Sequence, residues 1–227
     1  MFRLLTIPAT VARGVIVKHH YSHAWPTGNF LSMGVFLDST LIGVVTFGHP
    51  ANKNNAASVG LKGRELAELT RLWIADHAPK FVESRAIATC LRILRRDSIC
   101  RAVISYADPM HGHVGTVYQA SNWLYLGQMQ SSSMLKFSSG LMHKRAAFDR
   151  FGTDRPSRLR TVDPLVCYVE VPGKHKYIYA VDPQLLPALR QLAKPYPKKP
   201  SCAGPQGATG DQPAEGGAGP TPALHDG

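Results

Sequence analysis

Four segments in the middle of the chain carry its architecture: LAELTRLWI (Leu66–Ile74), VESRAIATCLRILRR (82–96), RAVISYA (101–107) and HVGTVYQASNWLYLG (113–127). The first alternates like a strand with one buried face. The second places Ile87, Cys90, Leu91 and Leu94 on one helical stripe. Its last turn carries Arg95 and Arg96, where cations complement the helix dipole. The third is apolar enough for a buried strand and stops at Asp108-Pro109. The fourth reads as a short helix over 114–122 feeding a strand over 124–130. Strand, helix, strand, helix, strand predicts an α/β domain.

Working outward, apolar runs at 30–37 and 40–47 are split by Asp38-Ser39 and predict a β-hairpin. Downstream, 165–171 and 177–181 read as two short strands. A closing helix is expected over 182–193, with Pro183 in its first turn. From Lys194 the composition shifts to Pro, Gly and Ala, with almost no large apolar residue. Such a segment cannot bury enough surface to offset chain entropy. The expected organisation is a domain over 1–193 and a disordered tail over 194–227.

The chain has 227 residues, 44% of them hydrophobic, enough for a core and against a wholly disordered protein. No run of about 18 apolar residues suggests a membrane span, and the first twenty residues lack the order of a signal peptide. The four cysteines are scattered, which suits reduced thiols. The net charge is +11. The tail's three lysines and three acids cancel, so the excess lies on the domain. A basic domain of this kind suits a phosphate backbone, although charge alone also suits a solubilising surface.

Several clusters could carry chemistry. His19, His20 and His23 lie within five residues, with Tyr21 among them. They could serve as general bases or metal ligands, or occupy a solvent-facing loop. Asp108, His111 and His113 follow a strand end, where ligand crevices open in α/β sheets. They could form a divalent-metal set, as in a metal nuclease, or Asp108 could cap the next helix. Tyr118, inside a short helix, could give a proton to a leaving group or simply pack. Arg71 is a charge between apolar neighbours. If it shares a strand face with Leu69 and Trp73, it needs Glu68, Asp108 or an anionic ligand as partner. Later, Lys136, Lys144, Arg145, Arg150, Arg155 and Arg158 interleave with Phe137 and Phe151. Basic loops beside aromatics can track phosphates and stack bases, or form a solvated face.

Taken in order, these pieces resemble the Mom family, DNA-modification proteins of Mu-like phages. The likeness rests on His20-Tyr21, the 68–74 strand, the helix after Glu83, the strand ending at Asp108 and the run 112–127, and it covers roughly 18–160. The resemblance implies a GNAT acyltransferase-like fold: a central mixed, mostly antiparallel sheet flanked by helices. It implies a transferase in the cytoplasm of a host bacterium. Such an enzyme converts the exocyclic amino group of adenine in double-stranded DNA to a carbamoylmethyl-amino group, protecting it from restriction. The positions carried over are His20, Tyr21, Arg71, Ser84, Asp108 and Tyr118. His20, Tyr21, Asp108 and Tyr118 are then the expected catalytic residues, and Arg71 and Ser84 face the donor.

The chain departs from the GNAT pattern at 75–85, which has no glycine where a glycine-rich phosphate loop is usual. Lys80 and Arg85 are the candidates to hold donor phosphates there. The donor is expected to be an acyl-CoA or an aminoacyl-tRNA, since a glycyl adduct and a carbamoylmethyl adduct are isomers. A second route uses iron or another divalent metal on His20, Tyr21 and Asp108. The target amine is paired inside a duplex, so the base should be flipped, with Trp25, Trp123 or Tyr125 available to stack on it. Competing readings are a GNAT-like acyltransferase for another amine and a non-catalytic DNA-binding protein.

Overall fold

The computed structural model describes residues 1–52 and 54–198. The elements run β1 (Phe2–Thr6), α1 (Ala9–His19), β2 (Asn29–Leu37), β3 (Thr40–Gly48), α2 (Asn54–Ala57) and β4 (Leu66–Ile74). There follow α3 (Val82–Asp97), β5 (Ala102–Ala107), α4 (Thr116–Ala120), β6 (Leu124–Gln128), β7 (Ser132–Phe137) and β8 (Gly140–Met142). The chain closes with α5 (Lys144–Phe151), α6 (Pro156–Leu159), β9 (Cys167–Val171), β10 (His175–Ala180) and α7 (Leu186–Leu192).

Seven strands form one sheet in the order β1-β2-β3-β4-β5-β10-β6. Its pairs are antiparallel except β4 with β5, which run parallel. One face is closed by α3, whose Val82, Ala86, Ile87, Cys90, Leu91 and Leu94 pack on Val45, Phe47, Ala67, Leu69 and Val103. The other face is closed by α1, through Ala12 and Ile16 on Val44, and by α7, through Leu189 against Leu66, Ile104 and Ile178. This is the mixed, mostly antiparallel, helix-flanked sheet that the resemblance implies.

Two irregularities in β4 shape everything that follows. Its parallel pairing with β5 ends at Glu68↔Ile104, so the two strands part beyond that point. On its other edge, Arg71 pairs with Thr46 while Leu69 pairs with Phe47. Thr70 is therefore the extra residue of a β-bulge. A bulge flips the alternation: Leu69 stays on the α3 face, whereas Arg71 and Trp73, paired with Thr46 and Val44, face α1. The expected common face of Leu69, Arg71 and Trp73 is corrected accordingly.

Between β6 and β10 the chain leaves the sheet and builds a small lobe. Strands β8-β7-β9 form a separate sheet, with Leu135, Phe137, Ala147, Leu159 and Val166 as its own core. Two crossings form its neck, where Met129 N–H donates to the Lys174 carbonyl at 2.9 Å and Gln128 Nε2 to the Gly173 carbonyl at 2.9 Å. At Gly173 a Cβ would collide with the Met129 carbonyl, so the crossing requires glycine. Residues 194–198 lie against the sheet rather than apart from it. Lys194 N–H donates to the Tyr125 carbonyl, and the Tyr196 hydroxyl to that of Trp123, both at 2.7 Å. The rest of the expected tail, 199–227, lies outside the described residues.

Candidate functional site

Where β4 and β5 part, a cavity of about 380 Å³ opens. Its walls are 69–74 of β4, 105–108 of β5 and its extension, 112–118 leading into α4, Glu83 of α3, and His20 and Tyr21 beyond α1. Because of the bulge, the walls come from both faces of the sheet. Tyr118 and Val117 close one end, and Arg71, Trp73, His20 and Tyr21 the other.

The geometry thus brings together His20, Tyr21, Arg71, Asp108 and Tyr118, although 98 positions separate the first from the last. Each is held by its own local structure. Helix α1 ends at His19, and His20 turns into a buried position. Its Nδ1 accepts from Ser22 N–H at 3.1 Å and lies 2.9 Å from Ser22 Oγ. An Nδ1 that accepts leaves the proton on Nε2. Burial, followed by Arg71, His113, His23 and His111, pushes His20 down to about 4, so it is neutral at physiological pH. Burial, and then Asp108, raises the Tyr21 phenol above its ordinary value.

Arg71 has no carboxylate within ion-pair distance among the described residues. It donates to the Ala24 carbonyl at 3.1 Å and the Thr70 carbonyl at 2.7 Å, pinning the 20–24 loop to β4. Burial lowers its pKa from the usual arginine value. Asp108 ends β5 and caps the following turn by accepting from Met110 N–H at 3.0 Å. Its other oxygen meets Lys174 of the lobe's neck at 3.2 Å, so its ion-pair partner is Lys174.

Tyr118 is buried in the first turn of α4, which starts from Gly115 at φ +79°. Its ring is packed by Trp123 at 5.1 Å and Tyr177 at 5.2 Å between centroids. Burial pushes its phenol up to about 12, so it stays protonated.

The other expected donor residues stand elsewhere. Ser84 lines a separate groove behind α3 with Arg92 and Arg95, and its Oγ donates to the Phe81 carbonyl at 3.1 Å. The Arg85 guanidinium sits 4.5 Å over the Phe2 ring. Lys80 is exposed in the loop before α3. What the cavity itself offers a donor is the edge of β4 beyond Glu68, where β5 no longer pairs, and the apolar walls of Leu69, Ile74 and Val117.

The expected base-stacking residues are also corrected. Trp123 is fully buried in the core and Tyr125 nearly so, while Trp25 packs with the α1 cluster. The aromatic surface at the cavity mouth is Tyr21, with His111 at 4.4 Å and His113 at 5.3 Å. The expected metal ligands His20, Tyr21 and Asp108 line the same cavity. Among the described residues no three His, Cys, Asp or Glu side chains converge to hold an ion.

All six expected DNA-contacting residues fall on the lobe or its helices: Lys136 on β7, Lys144, Arg145 and Arg150 on α5, Arg155 and Arg158 at α6. Between 129 and 174 there are eight lysines and arginines against four carboxylates. Arg145 is paired with Asp149 at 3.1 Å, and Lys144 sits over Tyr168 at 4.5 Å. Among the described residues, Lys136, Arg155 and Arg158 have no ion-pair partner.

Fold and cavity together define a mixed α/β protein with a cavity where two parallel strands part. The family model of the Mom protein family matches residues 1–198. The chain belongs to the Mom protein family. It is 37% identical over 134 residues to the methylcarbamoylase mom of Escherichia phage Mu. That alignment covers 57% of this chain and 55% of the phage protein, so it spans only about half the length of the curated relative. Similar solved structures include an Arabidopsis thaliana NAA60 complex with acetyl-CoA, at 11% identity over 79% of this chain and 99% of that one, TM-score 0.47. Another is a Vibrio cholerae spermidine N-acetyltransferase with CoA and spermine, at 10% identity over 82% and 98%, TM-score 0.44. No helix of the described residues is long and apolar enough to cross a membrane.

Proposed function

We propose that this chain transfers an acyl or aminoacyl group to the exocyclic nitrogen of adenine in double-stranded DNA. Where that group is glycyl, the first adduct carries its carbonyl on the adenine nitrogen and then rearranges to its isomer, the carbamoylmethyl-amino base that shields DNA from restriction in a host bacterial cytoplasm. Membership of the Mom family and the methylcarbamoylase name of the Mu relative support this reading. The observation that carries it is the cavity running through the parted strands, walled by Tyr118 at one end and by His20, Tyr21 and Arg71 at the other. Such a passage lets donor and acceptor meet from opposite faces of the sheet.

In this reading the donor, an acyl-CoA or a charged tRNA, lies along the free edge of β4. Adenine is flipped from the duplex at a cost of a few kcal/mol and stacks on Tyr21, His111 and His113. The neutral His20 presents Nε2–H as a hydrogen-bond donor, which orients the base without adding charge. Asp108, at the rim, accepts the proton released by the amine. Tyr118 gives a proton to the leaving group. The lobe's unpaired cations hold flanking phosphates.

The test is mass spectrometry of nucleosides from plasmid DNA co-expressed with the protein. The reading expects a deoxyadenosine heavier by one carbamoylmethyl group. Unmodified DNA from cells holding soluble, folded protein would favour a different amine as acceptor.

A further inference from the structure

Ser105 lies on β5 one residue past the last position that pairs with β4. It is 1% exposed, a small polar side chain in a largely apolar strand. Its Oγ stands 2.8 Å from the Leu69 carbonyl and 2.7 Å from the Tyr118 hydroxyl. The Leu69 carbonyl sits where the strands separate, and Ser105 gives it the donor that strand pairing no longer supplies. A serine hydroxyl has one hydrogen and can serve only one of these two oxygens at a time. When it serves Leu69, the Tyr118 O–H can donate to Ser105. When Tyr118 turns its hydrogen toward the cavity, the serine hydrogen is free to swing to the phenol oxygen.

Resting on the transferase reading above, we propose that Ser105 is a positioning residue. It is a hydroxyl rotor that passes its hydrogen from the Leu69 carbonyl to the Tyr118 oxygen as Tyr118 protonates the leaving group. The step balances. The adenine nitrogen forms a bond to the donor carbonyl carbon, and the bond from that carbon to the leaving atom breaks with its electron pair. The leaving atom takes the Tyr118 proton, and the amine gives up one proton, which restores the phenol through solvent. A phenolate in this pocket is disfavoured by burial, and a hydrogen bond from Ser105 is the donor within reach that offsets it. The ring itself cannot swing to find another, because Trp123 and Tyr177 pack it.

The experiment follows modified deoxyadenosine over time, using purified protein, saturating plasmid DNA and a bacterial cell extract that supplies the donor. Ser105→Ala, Ser105→Thr, Tyr118→Phe and the Ser105→Ala/Tyr118→Phe double variant are compared with the wild type. DNA affinity and thermal unfolding are measured on each. The proposal expects Ser105→Ala to be at least tenfold slower with DNA affinity unchanged. It expects Ser105→Thr to recover most of the rate. It also expects the double variant to be no slower than Tyr118→Phe alone, because the rotor acts only through that phenol. A Ser105→Ala rate equal to wild type, or a double variant slowed by the product of both single effects, overturns the rotor and leaves the transferase reading standing. A Tyr118→Phe rate equal to wild type overturns the rotor together with the acid role of Tyr118. Absence of modified base with the wild-type protein is the separate signature of failure of the transferase reading.

Discussion

The seven-stranded sheet and the three-stranded lobe solve different problems with the same chain. In the sheet, strands β3, β4, β5 and β10 are closed by helices and loops on both faces, and the cavity opens only where β4 and β5 part. Tyr118 can remain a neutral acid there because burial disfavours its phenolate. In the lobe, β7 turns Leu135 and Phe137 toward α5 and α6 and leaves Lys136 in solvent. Its cations reach outward on a small core with a narrow neck. The difference teaches how labour divides under the proposed function: the dry region shapes chemistry, and the wet one holds a charged polymer. Lys174 joins them, rising from the neck to Asp108.

The largest expected effect tests the dry side. Tyr118→Phe should slow base modification about 10³-fold, within the usual range for a missing general acid. Its DNA affinity should match wild type, and a weakened affinity would break the division.

Next in size is the independence of the two cores. Leu135→Ala should cost about 3 kcal/mol locally, as buried leucine truncations do. Amide exchange should rise across β7, β8 and β9 while β3, β4 and β5 stay protected. Equal loosening of both regions would show that they are one cooperative unit.

His20 gives a pH test of the site. Its folded-state value near 4 lies below the ordinary 6.5, so the unfolded chain binds its proton first as pH falls. The associated stability is full above about pH 6.5 and is lost progressively down to about pH 4, up to about 3 kcal/mol in all. Urea unfolding at several pH values should show a shallower decline for His20→Gln than for wild type. Identical slopes would contradict the buried, neutral imidazole.

The smallest effects belong to single lobe cations. Arg155→Ala and Arg158→Ala should each weaken DNA binding several-fold and lower the salt slope of log K by about 0.9 for each phosphate no longer neutralised. Neither should alter the rate at saturating DNA. A changed saturating rate with an unchanged slope would place these residues in the chemistry instead.

The two regions are also unequally legible in the amino-acid order. Strand β4 runs from Leu66 to Ile74, the expected bounds, although the Thr70 bulge breaks the expected alternation, and the stripe Ile87, Cys90, Leu91, Leu94 does face the sheet. Those segments are long, periodic and buried, so local pattern and tertiary burial agree. Helix α1 is hard to read because Val11, Val15, Ile16 and Val17, with Gly14 among them, are poor helix formers; burial of Ala12 and Ile16 on Val44 outweighs propensity. The lobe is hard to read because β7 and β8 are short and half-exposed. Its charges stand out in the sequence and its alternation does not. At the site, Tyr118, Asp108 and His20-Tyr21 are legible as chemistry-bearing types. Their meeting is not, because it depends on the parting of β4 from β5 and on the Thr70 bulge, both long-range properties. Ser105 carries a readable signal, a small polar side chain in a largely apolar strand, but its partners on β4 and α4 are set by the fold.

The central claim is that the cavity modifies adenine in DNA that the lobe holds. Its most direct test compares nucleosides from plasmid DNA recovered from cells making wild-type protein or Tyr118→Phe, both folded and both binding DNA. The account predicts the heavier deoxyadenosine with the wild type and almost none with the variant. Equal amounts from both, or none from either, would contradict it.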